Sequence, residues 1–92
     1  MIQIVKVVEI KPTGDRTLWL RFSDGTEGQR DCSDIIAEGG PMVEPLADPA
    51  MFRRVFISFG APSWPNGIDL DPINLHLEME KAGALRHAAA AE

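Results

Sequence analysis

Two tight-turn signatures constrain this chain more than any other feature: Phe22-Ser23-Asp24-Gly25 and Trp64-Pro65-Asn66-Gly67. Asp-Gly and Asn-Gly accept left-handed backbone at little cost, so each reverses the chain within a few residues. A sharp reversal after an alternating apolar run builds antiparallel strand pairs. Residues 17–22 supply such a run, with Leu18, Leu20 and Phe22 on one face and Trp19 and Arg21 on the other. Asp24-Gly25 is expected to close a type I′ hairpin, and the polar residues 26–32 to return as a strand near an edge. Residues 2–10 are rich in β-branched side chains and predict another strand. Its alternation is broken, because Val5 and Val7 oppose Ile4, Val8 and Ile10. A strand covered on both faces reads this way.

Helix starts punctuate the rest. Ser33 predicts an N-cap for a short helix through Ile35, Ile36 and Ala37, stopped by Gly39-Gly40-Pro41. Residues 42–46 read as extended. Asp48-Pro49 and Asp71-Pro72 each pair a capping carboxylate with proline at the first helical position, where its missing N–H is harmless. Residues 54–59 predict a strand with Val55, Ile57 and Phe59 on one face, and residues 60–63 a turn. The last helix carries Ile73, Leu77 and Glu80 on one stripe and Leu75, Met79 and Ala82 on another, with Gly83 as its stop. The reading is one α+β domain over residues 1–83: a small antiparallel, mostly meander sheet of about five strands with two or three short helices. The alanine-rich residues 84–92 read as a frayed tail.

Composition narrows the function. At 92 residues there is room for one modest core. The single cysteine, Cys32, cannot form an internal disulfide, no run is apolar enough to cross a bilayer, and the N-terminus reads as a strand and not a signal peptide. The expected location is the cytoplasm. A net charge of −5 repels phosphate backbones, so direct nucleic-acid binding is disfavoured and a basic protein partner suits the chain better.

Three blocks occur in order: Leu18-Trp19-Leu20-Arg21-Phe22-Ser23-Asp24-Gly25-Thr26-Glu27-Gly28 with Asp31 and Ser33, then Glu44-Pro45-Leu46 with Asp48-Pro49 and Phe52, then Trp64-Pro65-Asn66-Gly67 with Asp69, Leu70 and Pro72. Together they resemble a small bacterial family catalogued as domain of unknown function 2442. The resemblance implies a small α+β fold with an antiparallel sheet, and brings no activity, cofactor or catalytic residue. It also implies a companion of small toxin-like proteins, hence an antitoxin or partner-binding role, or a module ahead of a helix-turn-helix domain. The chain departs from the family pattern at Arg30, where an apolar strand residue is usual, and at Pro62 and Ser63, where β-formers are expected before Trp64.

No catalytic constellation is legible. Asp24, Asp31, Asp34, Asp69 and Asp71 fall at turns and caps, where a carboxylate accepts backbone N–H groups. Trp64, Pro65, Asn66 and Gly67 could form a recognition loop, but each has a structural reason to stand in a turn; Gly25, Ser33 and Asp48 belong to the same class of turn and cap residues. His76 and Glu80 share a helix face but make a poor metal pair, and Cys32 and His87 offer no ligand spacing. No metal or cofactor is expected. Trp19 and Arg21 point away from the Leu18 face, so they are the candidate interaction surface, unless a helix or the N-terminal strand covers Trp19. The leading expectation is a non-enzymatic protein-binding module, possible homodimerisation through a strand edge included. The alternative is a small-ligand-binding or sensory domain associated with a transcriptional regulator.

Overall fold

The structure is a computed structural model that describes residues 5–87. Its centre is β2 (Thr17–Phe22), whose alternation is followed to the letter: Leu18, Leu20 and Phe22 are buried, and Thr17, Trp19 and Arg21 are half-buried on the opposite face. β1 (Val7–Pro12) and β3 (Thr26–Asp31) pair antiparallel on either side of it, and a two-residue β6 (Arg86–His87) joins β3, giving the order β1-β2-β3-β6. A second sheet is the hairpin of β4 (Phe56–Ser58) and β5 (Ala61–Ser63). Three helices complete the α+β fold: α1 (Ser33–Glu38), α2 (Pro49–Phe52) and the longer α3 (Pro72–Lys81). Among the described residues, the expected sheet of about five strands is an antiparallel meander of three strands extended by β6, with a separate two-stranded hairpin.

The broken alternation of β1 has a different cause from the one expected. Val7 pairs with Phe22, the register then shifts, and Ile10 pairs with Leu20. The bulge moves the inward phase from odd to even residues, so Val7 and Ile10 both face the core while Val8 is left 54% exposed. The strand is not covered on both faces. The expected part of it over residues 2–4 lies outside the described residues.

The turn chemistry also differs. Gly25 N–H donates to Phe22 C=O (3.0 Å), placing Ser23 and Asp24 at the centre of the turn; Gly25 has a φ of 89° and Asp24 keeps a negative φ. This is not type I′, which needs positive φ at both central residues. That geometry belongs to the β4–β5 hairpin. Ser58 pairs with Ala61, leaving Phe59 and Gly60 as a two-residue loop with φ of 51° and 77°. The expected turn over residues 60–63 is therefore a turn at Gly60 followed by a strand containing Pro62. Phe59 leaves the face of Val55 and Ile57, which remain packed against the core.

Residues 42–46 are not extended: Glu44–Ala47 form a 3-10 helix with Pro45 near its start. Nor is the chain after Gly83 frayed throughout. Ala84 and Leu85 pack against the core, and Arg86–His87 pair with Glu27 and Thr26. Residues 88–92 lie outside the described residues.

The core gathers Leu18, Leu20 and Phe22 from β2, Leu75 and Met79 from α3, and Phe52 and Trp64 from the second half of the chain. Of the two stripes on α3, the one holding Leu75 and Met79 faces inward, and Ile73 and Leu77 remain exposed.

Candidate functional site

The outer face of the main sheet carries the residues singled out from sequence. Glu9, Arg21, Glu27 and Arg86 align as one cross-strand row spanning all four strands. Their charges alternate and bond in series: Arg21 to Glu9 (3.1 Å) and Glu27 (3.4 Å), and Arg86 to Glu27 (3.6 Å). The next row is Lys11, Trp19 and Gln29. The Trp19 ring is half-buried between two cations, with Lys11 Nζ 5.5 Å and Arg21 Cζ 5.4 Å from its centroid. Trp19 is neither a bare anchor nor roofed by a helix: flexible charged side chains lie over it.

The turn and cap residues sit in structural roles. Asp48 and Asp71 accept from the amides of Ala50 and Ile73, each at 3.0 Å, and so cap α2 and α3. At α1 the expectation for Ser33 is corrected. Ser33 is the first helical residue, and its N–H and hydroxyl donate to Asp31 Oδ1 at 2.9 and 2.6 Å, so Asp31 is the acceptor. These bonds hold the Asp31 carboxyl below its usual pKa. Asp69 forms a backbone bridge with Ser63. Trp64 is buried, and its Nε1–H donates to the carbonyl of Phe52 (2.9 Å). Pro65 is exposed in the turn, Gly67 takes a φ of 97°, and the Asn66 amide donates to Met42 C=O (2.9 Å). The recognition-loop reading finds no open aromatic plate here.

Asp24 joins a small, partly exposed cluster. Its Oδ1 accepts from the Thr26 amide and hydroxyl (3.0 and 2.7 Å), and its Oδ2 lies 2.9 Å from His76 Nε2. Partial burial alone would raise the Asp24 pKa, but these hydrogen bonds prevail and lower it. His76 also packs edge-on against Phe22, 5.0 Å between centroids, so it clamps α3 to the β2–β3 turn. Cys32 is buried, and desolvation pushes its thiol up to about 11, away from nucleophilic character. Among the described residues, no three His, Cys, Asp or Glu side chains are grouped to hold a metal.

Two features were not legible in the sequence. One is the tip of the β4–β5 hairpin, where Phe59 is fully exposed. The turn is fastened to β1, since Val7 N–H donates to Gly60 C=O (2.8 Å) and the Lys6 stem fills the space a Gly60 Cβ would need. The other is Arg30. Paired with Leu18, it occupies an inward position at the sheet margin, and its side chain is only 15% exposed. Its guanidinium bonds Asp34 of α1 (2.9 and 3.1 Å) and Glu78 of α3 (3.0 Å), tying three elements together. The Asp34 bonds hold Arg30 more firmly protonated and lower the Asp34 pKa. Arg30 Nε is shielded from solvent without a partner among the described residues. Beside it opens a cleft of about 410 Å³ along β3 and α3. No spacing rule links Arg30 to Glu78, 48 residues away.

Fold and site together define a small α+β domain with a self-paired charged sheet face and a cleft at one sheet margin. A family described as a protein of unknown function (DUF2442) matches residues 7–78, and the chain belongs to that family. No curated protein and no solved structure matches the chain. No helix among the described residues is long and apolar enough to cross a membrane.

Proposed function

We propose that this chain is a non-enzymatic, cytosolic protein-binding module, the antitoxin or companion of a small, basic, toxin-like protein. The observation that carries the reading is Phe59. Its side chain is 101% exposed at the apex of a two-residue turn, and its φ of 51° is left-handed. A bulky residue is strained there, where Asn or Gly would be at ease. An aromatic side chain held wholly in water against its backbone preference suits a contact anchor. Val8, next to the Val7–Gly60 hydrogen bond, adds a second exposed apolar side chain nearby. The net charge of −5 favours a basic partner and disfavours direct contact with nucleic acid. A buried thiol whose pKa is raised to about 11 is poorly disposed to act as a nucleophile, which supports the non-enzymatic part of the reading.

The sensory alternative draws on the 410 Å³ cleft, whose size falls within the range of ligand pockets. Its lining carries Arg30, Asp31, Asp34 and Glu78, more charge than a pocket for a small apolar ligand usually shows.

Pull-down with the product of the adjacent gene tests the reading. The unaltered chain captures that protein, and Phe59→Asn weakens capture by about tenfold or more. The same change relieves the backbone, so the variant is as stable as the original or more so, and lost binding cannot be ascribed to unfolding. Failure of capture, or capture indifferent to Phe59→Asn, overturns it.

A further inference from the structure

β3 is left without a neighbour along part of its outer edge. β6 pairs only with Thr26 and Glu27. Cys32 donates its amide to Arg16 C=O, towards β2 (2.7 Å). By antiparallel alternation Arg30 and Gly28 also bond towards β2, and Glu27, Gln29 and Asp31 turn their backbone groups the other way. Glu27 meets β6 there. The Asp31 carbonyl takes a hydrogen bond from Arg30 Nη1. The Gln29 backbone finds no partner on that side among the described residues. The reason lies in the path of the chain: the Ala84 carbonyl occupies the space a Gly28 Cβ would need. The chain leaves α3 beneath the sheet and reaches its edge only at Arg86.

The cleft opens where β6 is missing. Its lining sets three carboxylates (Asp31, Asp34 and Glu78) against one guanidinium (Arg30), with Ala82 and Ala84 as apolar surface above the buried Met79. The geometry points to a strand-addition site: an extended, basic segment of a partner protein seats on the β3 edge at Gln29, end to end with β6, and lays alternate Lys or Arg side chains into the cleft. An open strand edge supplies main-chain hydrogen bonds to any extended peptide, so selectivity falls to alternate side chains. A long cationic side chain matches this lining in both parts, its stem over Ala82 and Ala84 and its head among the carboxylates. A second copy of this chain is the poorer occupant, because pairing of the same edge about a two-fold axis sets Asp31, Asp34 and Glu78 against their own equivalents. The site lies across the sheet from β1, to which the Phe59 hairpin is fastened, so it adds a second contact surface to the protein-binding reading on which it rests.

The test uses the full chain with a ten-residue peptide of alternating lysine and threonine, and an alternating glutamate–threonine peptide as control. The lysine peptide binds about tenfold or more tighter than the control, weakens as salt rises, and slows hydrogen exchange of the Gln29 amide. Gln29→Pro removes that outward N–H at a position where an edge strand tolerates proline, and abolishes binding. Glu78→Gln weakens it about threefold, as expected for one exposed charge. Phe59→Asn leaves it unchanged, which separates failure of this site from failure of the Phe59 anchor. Equal binding of both peptides, an unprotected Gln29 amide at saturation, undiminished binding by folded Gln29→Pro, or a homodimer closed through this edge overturns the inference. Should Gln29→Pro not fold, exchange of the Gln29 amide in the unaltered chain decides.

Discussion

Arg30 shows how a single residue can obey the pattern of a strand while breaking its polarity. Its position is inward, opposite Leu18, where an apolar side chain would serve. The stem does serve in that way, and only the head reaches Asp34 and Glu78. Those two carboxylates are 64% and 46% exposed, so without Arg30 they return to water at little cost. The Arg30 guanidinium, by contrast, is largely desolvated, and such pairs are often replaceable by apolar residues of similar size. Arg30→Met is therefore expected within about 1 kcal/mol of the original chain, while Arg30→Ala, which also deletes the stem, costs about 2 kcal/mol. Urea unfolding of both variants checks this; equal losses would show that the ion pairs, and not the stem, hold the elements together. In both variants the Asp34 pKa rises towards its ordinary value, because the bond that lowers it is gone.

Among the elements, those governed by period and cap were legible and those governed by tertiary closure were not. β2 and α3 could be read from Leu18, Leu20 and Phe22 and from Asp71-Pro72, because each carries its own signal within a few residues. The bulge in β1 was visible only as a broken alternation. Its cause depends on Val7 and Ile10 both finding β2. Turn type escapes the sequence in the same way: Asp24-Gly25 has the composition of a type I′ turn, yet that geometry falls to Phe59-Gly60, which lacks it. Of the candidate surface, Trp19 and Arg21 were correctly set on the outer face, while the lysine and glutamates that cover and pair them come from neighbouring strands. β6 was missed because an alanine-rich end gives no strand signal. Its place depends on Gly28, whose missing side chain lets the Ala84 carbonyl pass. Gly28→Ala is expected to destabilise the chain by about 2 kcal/mol and to speed hydrogen exchange at residues 85–87 before the rest of the sheet. Unchanged exchange there would mean that the segment reaches β3 by another path.

At the scale of the whole molecule, stability should be bounded by different groups at the two ends of the pH range. Asp24, Asp31 and Asp34 all have lowered pKa values in the folded chain, through bonds from Thr26 and His76, from Ser33, and from Arg30. A carboxylate lowered on folding stabilises above its unfolded pKa of about 4, and that contribution is lost as pH falls through the folded value. The acid limb is thus spread over three small networks, and no single substitution among them should remove it. The alkaline limb is simpler. Cys32 is raised to about 11 by burial. An unfolded thiol titrates near about 8.5, so between these values the unfolded chain has released a proton that the folded chain retains, and stability falls as pH rises. The sequence contains no tyrosine, so no phenol titrates beside Cys32 in this interval. Cys32→Ala is expected to lower stability at neutral pH through lost packing, yet to flatten the decline between about pH 8.5 and 10, as read from urea midpoints. A slope as steep as that of the unaltered chain would show that burial of Cys32 is not the source of the alkaline sensitivity.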